Sequence, residues 1–176
     1  MQREEVLAII EKIIEWHKVL YQESEALENV ANDVQAMVGL EESKEAFMPG
    51  RFDQKEGLQK LQELLEAIKD GLHRHFHYEE TALLTAFEEY GGKELASSLH
   101  SLLLEHEEIR QRLAQSKNHV TELTDGNLGR HTWDASAQDM RAYLSHTLKS
   151  LATHANNENR LLLTLREQFM HEGTEV

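Results

Sequence analysis

Four stretches of this chain repeat an apolar residue at alternating steps of three and four, the period of a helix that buries one stripe. The first stripe reads Val6, Ile10, Ile13, His17, Leu20, Ser24, Leu27, Ala31, Val34 and Val38. The second reads Leu58, Leu61, Leu65, Ile68, Leu72, His75, Glu79, Ala82 and Ala86. The third reads Leu95, Leu99, Leu102, His106, Ile109, Leu113 and Val120. The fourth reads Met140, Leu144, Thr147, Leu151, His154, Glu158, Leu161 and Leu165. One proline and nine glycines in 176 residues leave few places for such helices to break.

Local signals set the predicted boundaries. The first helix runs from about residue 2 to 38, with Gly39 as its C-terminal cap, and a connection containing Pro49 and Gly50 follows. Asp53 with Glu56 three residues on reads as a capping box for the second helix, which ends near Tyr90 before the Gly91-Gly92 turn. The third spans about residues 93 to 123 and stops at Asp125-Gly126-Asn127. The fourth starts at an Asp134 N-cap and continues to about Met170, leaving His171 to Val176 as a frayed tail. Short links between long helices predict an all-α, antiparallel up-down-up-down four-helix bundle forming a single domain over residues 1–176.

Six polar residues interrupt the stripes: His17, His75, Glu79, His106, His154 and Glu158. Burying them unpaired costs several kcal/mol for an ionised carboxylate, so each needs a partner. At ~1.5 Å of rise per residue, the four histidines fall between roughly 18 and 23 Å from the same end of such a bundle. Glu79 and Glu158 each follow a histidine by four positions and share its face. His17 with His75-x-x-x-Glu79 forms one half and His106 with His154-x-x-x-Glu158 the other, a pattern suited to two metal ions bridged by carboxylates. Four histidines and two glutamates leave open positions for an oxo or hydroxo bridge, water or a diatomic ligand.

The remaining histidines fit solvent better. His73 and His77 lie about 160° from the stripe of His75 and Glu79, His100 lies off the His106 face, and His119, His131, His146 and His171 have no partner pattern. Tyr21 and Tyr143 are near the ligand faces and are candidates for outer contacts to the site.

Composition narrows the functional classes. A formal net charge of −14 opposes binding to nucleic acid or an anionic membrane surface, and no run of about 18 apolar residues is available to cross a bilayer. Without cysteine there is no disulfide, thiolate nucleophile or thiolate-bound metal, and a cytoplasmic location is expected. No phosphate-cradling glycine loop, dinucleotide fingerprint or Ser/His/Asp arrangement occurs.

The segments His75-Phe76-His77-Tyr78-Glu79-Glu80, Glu105-His106-Glu107-Glu108-Ile109-Arg110 and His154-Ala155-Asn156-Asn157-Glu158-Asn159 resemble the hemerythrin-like, or HHE cation-binding, domain family over all four helices. The resemblance implies a di-iron centre that binds or senses oxygen, nitric oxide or peroxide, or that stores iron, with zinc or manganese as substitute metals. By position it implies His17 and His75 on one iron, His106 and His154 on the other, and Glu79 and Glu158 bridging. Two departures stand out. The oxygen carriers have a histidine four positions before the one matched by His106, where this chain has Leu102, and they carry His-x-x-x-x-Asp where this chain has His154-x-x-x-Glu158 followed by Asn159. A di-iron oxidase or peroxidase-like enzyme is the competing class, but no histidine follows a glutamate by three positions, as ferritin-like oxidases require. A metal-free helical interaction module, its buried polar residues setting register only, is the third.

Overall fold

The computed structural model describes residues 1–41, 52–125 and 127–172, with side chains for residues 1–32, 56–125 and 127–170. Among these residues there is no strand: the chain is all-α. Helix α1 (Arg3–Glu41) is followed by α2 (Phe52–Tyr78), a π-helical turn (Glu79–Leu83), α3 (Leu84–Tyr90), α4 (Gly92–Leu103), α5 (Glu105–Thr124) and α6 (Arg130–Glu172). None of them is long and apolar enough to cross a membrane.

The residues form two compact units. The first contains residues 1–21, 70–109 and 150–176; the second contains residues 22–69 and 110–149. In the first, Val6, Ile10 and Ile13 from α1 pack with Leu83, Ala86, Phe87, Leu99, Leu162, Leu165 and Phe169. In the second, Leu27, Leu58, Leu61, Ile68, Leu113, Leu123 and Met140 are buried. Trp133 there is fully buried and donates its indole N–H to the Leu123 carbonyl at 3.1 Å, so its one polar atom is satisfied inside the core.

Several boundaries differ from the sequence expectation. Helix α1 passes through Gly39 to Glu41 instead of ending there. Helix α2 opens at Phe52, one residue before the expected Asp53 cap. Helix α6 starts at Arg130, four residues before Asp134, because the Trp133 N–H already bonds the Gly129 carbonyl at 2.8 Å. The Pro49-Gly50 connection, the Val34 and Val38 side chains and the tail from His171 lie outside the residues, or the side chains, described.

Two breaks in helical regularity matter for function. In the π turn the Leu84 N–H reaches back five residues to the Glu79 carbonyl. That adds a residue to the turn and rotates the helix beyond it, so Leu83 is buried where the apolar period had selected Ala82. The second break is at Leu104, which is 80% exposed between α4 and α5 where one continuous helix was expected. Between α3 and α4 the chain does turn at Gly91-Gly92. Gly91 approaches so closely that an added Cβ would lie 2.8 Å from the Phe87 carbonyl oxygen, and Gly92 has φ +66°.

Candidate metal centre

All six stripe-interrupting residues come together in the first unit, and each is at most 6% exposed. Helix α1 contributes His17 and α2 contributes His75 one turn before its end. Glu79 opens the π turn, His106 is the second residue of α5, and His154 and Glu158 lie one turn apart on α6.

Glu79 sits between two histidine pairs. Its Oε1 lies 2.6 Å from His75 Nε2 and 3.6 Å from His17 Nε2, while its Oε2 lies 3.3 Å from His106 Nε2. Glu158 Oε2 lies 3.4 Å from His17 Nε2 and 3.9 Å from His154 Nε2. Two overlapping groups result, His17–His75–Glu79–Glu158 and Glu79–His106–His154, each with its ligand atoms within 4.8 Å of one another.

The outer nitrogens of the rings fix what the inner ones offer. His106 Nδ1 faces Glu80 Oε1 at 2.8 Å, and His154 Nδ1 faces Glu105 Oε2 at 2.9 Å. Ionised carboxylates only accept, so both Nδ1 atoms donate, and a ring with no second proton directs an Nε2 lone pair inward. Those two Nε2 atoms are 3.1 Å apart. Facing lone pairs repel unless a cation lies between them. Two nitrogens about 2.1 Å from one ion and at right angles to each other would be about 3.0 Å apart, which is close to the spacing found. His17 Nδ1 donates to Asn159 Oδ1 at 2.8 Å, so its Nε2 also points inward. Both oxygens of Glu79 and of Glu158 are buried without a well-formed hydrogen bond. Four inward imidazoles and two unsatisfied buried carboxylates form a donor set that fits metal ions.

Aromatic rings hold the histidines in place. Phe76 stacks on His106 at 3.7 Å and meets His154 edge-on at 6.0 Å. Trp16 meets His75 edge-on at 5.3 Å, and the ammonium of Lys12 lies over both Trp16 and Tyr78.

The buried carboxylates favour positive charge within the cluster. Burial opposes charge on His17, but Glu158 and Glu79 against its Nε2 outweigh burial and push its pKa up to about 10. Burial and the neighbouring Glu79 charge push Glu158 up to about 8. Burial works in the same direction on Glu79, yet its contacts with His106, His17 and His75 hold it well below the usual carboxylate range. His17 and Glu158 therefore both retain a proton at neutral pH that an incoming metal must displace. Loading metal at pH 7 is expected to release at least about one proton per chain, read with an indicator dye. Apparent affinity then rises with pH until His17 gives up its proton unaided near pH 10. Loading without proton release would remove His17 from the site.

Other expectations fare differently. His73, His77, His131 and His146 are exposed, and so is His100, which pairs with Glu88 at 3.2 Å. The Tyr21 hydroxyl donates to Asn156 Oδ1 at 2.8 Å rather than to a site residue, and Tyr143 lies in the second unit with its ring against His119. The sequence reading missed Glu80, Glu105 and Asn159 as partners of the site histidines. Each is next in sequence to a site residue, about 100° off the buried stripe, and no period marks it.

Comparison with curated proteins and with solved structures returns no match. A family model, the hemerythrin HHE cation binding domain, matches residues 8–165, a span that includes every residue of the centre. On that match the chain belongs to the hemerythrin HHE cation-binding domain family.

Proposed function

We propose that this chain is a non-haem di-iron protein that binds or senses a small ligand such as oxygen, nitric oxide or peroxide. In this reading His17 and His75 hold one ion and His106 and His154 the other, with Glu79 and Glu158 shared between them, in a single domain built as the family's antiparallel four-helix bundle. The observation that carries it is Glu79, whose two oxygens face two different histidine pairs. Iron held there supplies redox-active positions open to a small ligand. The protein's own residues keep the site dry, hold the four rings in one orientation and neutralise the bound charge with two buried carboxylates. No residue is assigned a catalytic role.

Elemental analysis with visible spectra in air and after reduction tests the reading. About two irons per chain, as the paired ligand groups require, with absorption that bleaches on reduction, is the expected result. One zinc per chain, or a folded protein that takes up no metal, would overturn it.

A further inference from the structure

The two halves of the centre differ in what stands behind their histidines. Behind His106 and His154 are carboxylates, Glu80 at 2.8 Å and Glu105 at 2.9 Å. Behind His17 is a neutral amide, Asn159, at 2.8 Å, and the Nδ1 of His75 is buried without a hydrogen-bond partner. The irregular backbone produces this difference. The π turn begins at Glu79 and lets Glu79 face the centre while Glu80, the next residue, reaches His106. The break at Leu104 starts α5 at Glu105, so that Glu105 reaches His154 and His106 faces inward.

A carboxylate that accepts the Nδ1 proton makes the imidazole more basic and places negative charge behind the metal; an amide does the first weakly and the second not at all. Glu80 and Glu105 are 36% and 48% exposed. Solvent thus weakens their field but leaves the hydrogen bonds in place. We infer that Glu80 and Glu105 are positioning residues that split the centre into unequal halves, with the His106–His154 half the more electron-rich and the better suited to a trivalent ion. The inference rests on the di-iron reading above.

Replacing glutamate by glutamine tests it, because glutamine still accepts the Nδ1 proton while the charge is gone. In the iron-loaded full chain, reduced stepwise with dithionite and followed by visible absorption, Glu80→Gln and Glu105→Gln should each lower the preference for ferric over ferrous iron about tenfold. That is a rise of about 59 mV in a one-electron midpoint, and the double variant should move further than either single one. Asn159→Ala should move it by less than half as much. Zinc binding followed by calorimetry gives a second readout that needs no redox chemistry. The double variant should weaken one of two zinc sites by about 10–100-fold and spare the other. Unchanged midpoints, an equal shift from Asn159→Ala, or equal weakening of both zinc sites would each overturn the inference. A wild-type chain that binds no iron would instead sink the di-iron reading itself.

Discussion

Glu79→Ala is expected to strip metal from both halves of the centre, with a loss of more than about 100-fold in affinity, beyond what removal of a mere outer partner costs. The size of the effect reflects the position of the carboxylate. Its Oε1 is 2.6 Å from His75 and its Oε2 is 3.3 Å from His106, so one substitution removes a donor from each ligand group. The neighbouring groups cannot compensate. Glu158 lies nearer to His17 than to His154, and Glu80 and Glu105 are committed to the outer nitrogens of His106 and His154. His75→Ala removes a donor from one group only and should leave about half the metal. His73→Ala and His77→Ala, two exposed histidines on the same helix, should leave it all. Metal per chain after dialysis against a weak chelator, with helicity checked by circular dichroism, decides the matter. Equal metal content in the Glu79 and His77 variants would end the ligand assignment. Folding should survive Glu79→Ala, because the change removes a buried, desolvated carboxylate while Glu158 stays 3.4 Å from His17 as its counter-ion.

How far the centre could be read from sequence depends on the kind of signal each residue leaves. His17, His75, Glu79, His106, His154 and Glu158 were legible because a polar residue on an apolar stripe breaks a period, and the period is local. The phase of the stripe past the site was less secure. Leu162, not Leu161, is fully buried after Glu158, and Leu83, not Ala82, after Glu79. In α6 this is a choice between steps of three and four, while after α2 it is the extra residue of the π turn. The break at Leu104 left no trace, since Leu102-Leu103-Leu104-Glu105 contains neither proline nor glycine. What goes with it is tertiary: the contacts of Glu105 with His154 and of His106 with Glu80 join segments far apart in the chain, and no local pattern announces them. The start of α6 is hidden for a related reason. Asp134 has the chemistry of a cap, but Trp133 needs the helix already formed if its indole is to be buried against the Leu123 carbonyl.

Removing metal with a strong chelator is expected to lower the melting temperature by about 16–32 °C for a centre that holds two ions. At free metal about 1,000 times its dissociation constant, binding stabilises the folded state by about 4 kcal/mol per site. For a chain of this length each kcal/mol moves the midpoint by about 2–4 °C. The loss should be localised. All six proposed ligands lie in the unit made of residues 1–21, 70–109 and 150–176, and the second unit has its own buried set around Leu58, Leu123 and Trp133. Amide exchange after chelation should therefore quicken at the start of α5, at the π turn and in α6 around His154, while residues 58–68 and 113–123 stay protected. Two buried carboxylates without hydrogen bonds and two imidazole nitrogens 3.1 Å apart explain the direction, since in the absence of a cation the folded state must hold these groups against one another. A bundle whose buried histidines and glutamates served only to set register would melt at the same temperature with chelator as without it. The Glu79→Ala protein supplies the internal control: having little metal to lose, it should respond to chelator by less than a quarter of the wild-type shift. A full shift in that variant would mean that the chelator acts somewhere other than at this centre.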